Sequence, residues 1–318
     1  MIATEVYADF LDEEYLRTYI ADGGAAVKLV VAADDEQSRH FSENVRQRAL
    51  LDGYVVARVD AVNIRIHMMD QVFFEVARQV DWDGLAASAV RSALAAAGYP
   101  VADDSADITV EAVATRYDVD PHELSRDVNR QLQQRIGRDF AMVAEFRVAM
   151  LRLCQARLAT GQVTEAERAA VSDWLRGELR QISLLRSALI FRRVGRHNAR
   201  QLLFSLAHWV SVQGHAGLVL ELDVRRLGFA RRPRPEERVG NYYTKAALLD
   251  AYELLRQLVD NTDELSHCCV VVQVAPEFLT DPGRGIDAYQ ALKLRIFDEV
   301  RDRRRDNPYS SLVRLGTP

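Results

Sequence analysis

Apolar positions in this chain follow two regimes, short unbroken runs near the amino terminus and after residue 214, and three- and four-residue spacing between them. Val27 to Ala33 (VKLVVAA) is such a run, the pattern of a strand buried on both faces in a parallel sheet. Glu36 to Leu51 then sets Phe41, Val45, Ala49 and Leu50 on one helical face, and Asp52-Gly53 supplies a glycine at the C-cap position. Tyr54 to Asp60 (YVVARVD) reads as a second strand. Strand, helix and strand in this order form a crossover unit, which requires a parallel pair joined with the right hand.

From Ile66 to about Gly214 helical spacing dominates, over Met68 to Val80, Leu85 to Ala97, Pro121 to Ala159, Glu165 to Leu179 and Asn198 to Val212. Thr164 with Glu167 has the capping-box arrangement, and Asp120-Pro121 puts proline at the first helical position. Gly217 to Asp223 (GLVLELD) and His267 to Val274 (HCCVVVQV) return to the buried-strand pattern, with a helix predicted over Lys245 to Val259 between them. Ser311 to Leu315 is a candidate fifth strand. The predicted organisation is α/β, with parallel-sheet halves at 1–65 and 198–318 and an all-helical insertion at 66–197. The stretch Gly228 to Gly240, with two prolines and dense charge, reads as a surface loop.

With 48% apolar and 27% charged residues over 318 positions, the chain is of ordinary globular composition rather than disordered. Its first residues carry acids where a secretory signal carries basic residues, and its longest apolar run is too short to cross a bilayer, so a cytoplasmic protein with no membrane association is expected. Cys154, Cys268 and Cys269 lack metal-ligand or disulfide spacing and read as buried thiols. The seven histidines form no HExxH, and neither a Gly-x-Ser-x-Gly elbow nor a dinucleotide fingerprint occurs, so no metal site and no independent hydrolase centre is expected.

A strand followed by a helix is where a phosphate-binding loop GxxxxGK[S/T] would stand, its glycines opening backbone N–H groups to phosphates, its lysine reaching the β and γ phosphates and its hydroxyl binding magnesium. Here that slot reads AADDEQSRHF, Ala32 to Phe41. The surrounding text, GGAAVKLVV (Gly23 to Val31), RALLDGYVVARVD (Arg48 to Asp60), WLRGE (Trp174 to Glu178), GHAGLVLELD (Gly214 to Asp223), APEFLTDPGRGIDAYQALKLRI (Ala275 to Ile296) and NPYSSLVRL (Asn307 to Leu315), resembles the ATP-binding proteins of BREX-type phage-exclusion systems. The resemblance covers nearly the whole chain and implies a P-loop NTPase sheet of the AAA+ kind.

On that resemblance the loop's first glycine falls on Ala32, the second on Gln37, the lysine on Ser38 and the Ser/Thr on Arg39, and all four depart from the pattern. Asp34, Asp35 and Glu36 lie where phosphates are received, and like charges about 4 Å apart repel by about 4 kcal/mol at an effective dielectric near 20. The same acids also suit a helix N-terminus, each adding roughly 0.3–1 kcal/mol. Asp223 keeps the place of the magnesium-binding aspartate, the catalytic glutamate falls on Val224, and Arg295 matches an arginine of the family. The helical lid that closes over the base in the family is expected to be missing. No cofactor is therefore expected, with ATP and magnesium held only if a partner completes the site.

Net charge is −5, from 41 basic and 46 acidic residues, and does not by itself announce a nucleic-acid binder. The basic residues nevertheless cluster, as Arg225, Arg226, Arg231, Arg232, Arg234 and Arg238 before Tyr242 and Tyr243, a basic and aromatic surface suited to DNA or another anion, or else a solvated loop paired with Glu236 and Glu237. The sequence thus points to a catalytically degenerate, non-hydrolytic subunit of an antiphage defence system, partnered by other subunits, with DNA binding and an oligomer left open. The alternative is an ATP-using motor or switch whose site a neighbouring subunit completes.

Overall fold

A computed structural model describes residues 1–102, 107–229, 239–297 and 306–316. The chain divides into two compact units, Met1–Val76 with His215–Pro318, and Ala77–Gly214.

The first unit is built on one six-stranded sheet, every strand parallel, from β1 (Ile2–Ala3), β2 (Ala25–Val31), β3 (Val55–Asp60), β4 (Leu218–Asp223), β5 (Cys268–Val274) and β6 (Leu312–Gly316). Their spatial order is β1-β6-β2-β5-β4-β3. The unbroken apolar runs have their physical cause here, since β2, β4 and β5 are buried at every position. Helix α1 (Thr4–Phe10) runs on into a wider-wound stretch, Leu11–Ile20, and packs with α2 (Asp35–Leu51) over one face. Tyr7, Leu16, Ile20, Phe41, Val45 and Ala49 form one core there with Val30, Val219, Cys269, Val271 and Val313. All three thiols are free and buried, and burial pushes that of Cys269 up to about 12.

The short β1 escapes the apolar-run criterion because two residues carry no period, and its pairing with β6 depends on a contact across the whole sequence. After the first strand the helix begins at Asp35, with Asp34 as its N-cap.

The second unit is helical, with α4 (Trp82–Ala96), α5 (Val110–Tyr117), α6 (Pro121–Leu132), α7 (Ala144–Leu158), α8 (Glu165–Arg176) and α9 (Ala199–Val212), while α3 (Met69–Gln79) spans the boundary between the units. The single helix expected over Pro121 to Ala159 is broken. Gln133–Gly137 widens and the chain leaves helical geometry before restarting at Ala144. Asp139 holds this break by accepting from His208 Nε2 at 2.7 Å, and Ser205 Oγ accepts from the Val143 N–H at 3.0 Å. These contacts come from α9, far away in sequence, which is why helical periodicity alone cannot show the interruption.

Among the described residues no helix is long and apolar enough to cross a membrane.

Candidate functional site

In an open parallel sheet, ligands are received outside the carboxyl ends of the strands, near points where successive connections diverge. The chain leaves β2 past β5 and β4 to reach β3, and it leaves β5 past β2 to reach β6. The carboxyl ends of β2, β5 and β4 therefore define the candidate site, and the register aligns Val30, Gln273, Asp223 and Asp60 in one row across it.

The turn after β2 is closed upon itself. Asp34 is extended (φ −150°, ψ 179°) and its carboxylate accepts from the Gln37 N–H at 2.8 Å. Gln37 folds back, so that its Oε1 accepts from the Ala33 N–H at 2.7 Å and its Nε2 donates to Thr4 Oγ1 at 3.2 Å. The Ser38 N–H donates to the Asp34 carbonyl at 3.1 Å. Three backbone donors of the kind a phosphate loop leaves free are thus engaged by the turn itself. Ala32 is buried, Ser38 is buried with its hydroxyl bonded to Gln273 Oε1, and Arg39 lies outside, donating to the Asp35 carbonyl at 3.2 Å.

Asp223 ends β4 with only 5% of its surface exposed. Arg225, two residues on, grips it with two parallel hydrogen bonds, Nε to Oδ1 at 2.9 Å and Nη2 to Oδ2 at 2.6 Å. The same guanidinium reaches Asp35 Oδ1 through Nη1 at 2.5 Å, joining the β4 end to the first turn of α2. Arg58 of β3 adds a contact to Asp223 Oδ2 at 3.3 Å. Burial alone would raise the Asp223 pKa, but the hydrogen bonds and charge of Arg225 outweigh it and hold the carboxyl below its ordinary range. The Arg225 pKa is raised in turn, by Asp223 first and then by Asp35.

Under α2 runs a second polar row. Glu221, 1% exposed, accepts from Ser42 Oγ at 2.5 Å, and burial raises its pKa despite that bond and the charge of Arg58. Among the described residues Glu221 Oε1 and Gln273 Nε2 have no hydrogen-bond partner. Beside Val224, Arg225, Ala275 and Phe278 lies a cavity of about 10 Å³, about one water molecule in size and far smaller than a nucleotide.

The structure therefore brings together Ala32, Gln37, Ser38 and Asp223 and sets Arg39 at the rim. Arg295 on α12 (Gln290–Ile296) is instead bonded through Nε to Asp260 of α10 (Lys245–Asp260) at 3.0 Å. Arg225, grouped by sequence with the basic loop, stands inside the candidate site, and Arg226 donates to the Asn241 and Val239 carbonyls at 3.0 and 2.6 Å. Arg231, Arg232, Arg234 and Arg238 lie outside the described residues. Sequence reasoning missed the Arg225 clamp, the fold-back of Gln37 and the Ser42–Glu221 pair. The available signal was an arginine two residues after a strand-terminal aspartate, facing an acid-rich helix start. Among the described residues no group of three or more His, Cys, Asp or Glu side chains could hold a metal ion.

A family model described as "BREX system ATP-binding protein BrxC/D" matches residues 11–317, nearly the whole chain. No curated protein and no solved structure matches it.

Proposed function

The chain belongs to the BREX system ATP-binding protein BrxC/D family, and from that premise we propose that it is a non-hydrolytic subunit of a phage-defence assembly. It keeps a P-loop architecture of the AAA+ kind and acts through other subunits of the system rather than through turnover. The strand order and the placement of the Ala32–Arg39 turn and Asp223 at neighbouring strand ends support the architecture.

The observation that carries the loss of chemistry is Arg225. A magnesium ion in such a site needs carboxylate and hydroxyl oxygens together with the nucleotide's phosphates, yet both oxygens of Asp223 are held by a guanidinium. In this reading one internal cation takes the role of the divalent ion, and its third contact, to Asp35, ties it to the first turn of α2. Admitting a metal-bound nucleotide requires Arg225 to leave a mostly buried carboxylate and the metal to replace both of its hydrogen bonds. The Asp35 arm, 88% exposed, adds little, about 0–1 kcal/mol. With Val224 at the glutamate position and Ser38 at the lysine position, the side chains that orient water and reach the γ phosphate in the motif are replaced.

A second reading, a motor or switch completed by a neighbour, draws support from Asp223, which is kept ionised at the end of β4. In that reading Arg225 is a latch that a partner displaces. Phosphate release decides between them. The proposed function expects none from the purified chain with magnesium and ATP, alone or mixed with the system's other subunits. Turnover that appears on mixing and vanishes with Asp223→Ala replaces it with the switch.

A DNA role for the loop bearing Arg231, Arg232, Arg234 and Arg238 rests on composition and is tested by neutralising Arg231, Arg232 and Arg234 together.

A further inference from the structure

Leu179 to Leu220 contains no aspartate or glutamate and six arginines, inside a chain whose net charge is −5. Within it, residues 180–197 form a largely non-helical segment of the helical unit. Leu185, Ala188, Ile190 and Val194 are buried. Trp174 Nε1 donates to the Arg192 carbonyl at 2.8 Å, and Arg152 Nη2 to the Ser187 carbonyl at 3.2 Å. The segment is therefore anchored on α7 and α8, and the groups it turns outward are held in place.

Those outward groups are unusual. Leu184, Leu189 and Phe191 are 56%, 63% and 64% exposed, against the expectation that large apolar side chains avoid water in clusters. Leu189 has φ +62°, a left-handed backbone that non-glycine residues rarely adopt. The same segment carries Arg180, Arg186 and Arg192, all exposed. Arg192 meets Glu145 only at 3.9 Å with 72% of its side chain in water. Among the described residues no carboxylate pairs with Arg180 or Arg186.

We propose that this face, residues 180–197, is a docking surface for single-stranded nucleic acid. Arg180 and Arg186, which no described carboxylate pairs, and Arg192, whose contact with Glu145 is long and exposed, fit phosphate oxygens, which guanidiniums bind in a forked geometry while remaining partly hydrated. A protein partner would have to supply carboxylates or carbonyl acceptors to the same guanidiniums as it desolvated them, which a phosphate backbone does at every nucleotide. Phe191, Leu189 and Leu184 offer apolar area to base faces, which a duplex keeps stacked inside and a single strand exposes. The inference concerns the helical unit and stands whether or not the nucleotide site is degenerate.

The test is fluorescence anisotropy of the full chain with labelled oligothymidylate of about 30 nucleotides, titrated at about 50 and 200 mM salt. Binding that weakens steeply with salt is expected. Replacing Arg180, Arg186 and Arg192 with Gln weakens it at least tenfold and flattens the salt dependence. Phe191→Ala weakens it while leaving the salt slope in place, because it removes stacking and no charge. These side chains are exposed, so an unchanged circular dichroism spectrum and melting temperature establish that each variant is folded. The proposal is overturned by an absence of binding at the lower salt, by unaltered affinity in both variants, or by a duplex or polyglutamate that binds or competes equally well. It is also overturned if neutralising Arg231, Arg232 and Arg234 alone abolishes the signal. ATP titrated into the same samples reports separately on the nucleotide site.

Discussion

A carboxylate nearly removed from water stays ionised only when a cation compensates it, and Arg225 does this for Asp223 without help from any ligand. Two residues earlier on β4, Glu221 has the opposite balance, since Ser42 donates a hydrogen bond to it and burial nevertheless raises its pKa. A raised folded-state pKa contributes stability that is complete below the unfolded value and is lost as pH rises through the folded value. Glu221→Gln keeps an acceptor for Ser42 and carries no charge to bury. Urea midpoints of both proteins between about pH 5 and 8 should diverge, the wild type falling behind the variant as pH rises. Parallel curves would show that Glu221 titrates normally. None of this residue-scale pairing was legible beforehand. Arg225 sits in a sequence context dominated by the later arginines, and only the turn after β4 decides that its side chain points back to Asp223.

At the scale of elements, the sequence showed what depends on local pattern. Unbroken apolar runs located β2, β4 and β5, because strands buried on both faces have no polar side to alternate with. The two-residue β1, the wide winding of Leu11–Ile20 and the break after Gly137 depend on distant partners and left no local period. The start of α2 is where pattern and chemistry meet, since acids that repel phosphate also cap the helix. Asp34→Ala should cost about 1 kcal/mol, within the usual 0.5–2 kcal/mol for a lost N-cap, whereas Asp34→Asn should be nearly neutral. Denaturant titration of the two variants checks this. Equal losses in both would mean that the negative charge, through the helix dipole, matters more than the hydrogen bond to Gln37.

For the whole molecule, the family and the α/β class were readable from stretches along nearly the whole chain, two of which, Gly23 to Val31 and Gly214 to Asp223, end on strand termini that build one edge of the sheet. What stands at that edge instead of a ligand was not readable, for it is assembled from α2, β3 and the turn after β4. The proposed function rests on Arg225 serving Asp223 as its cation in place of a metal. Isothermal titration of Mg·ATP into the purified chain tests it most directly. The account predicts no binding heat up to about 1 mM nucleotide, and a dissociation constant in the micromolar range would contradict it.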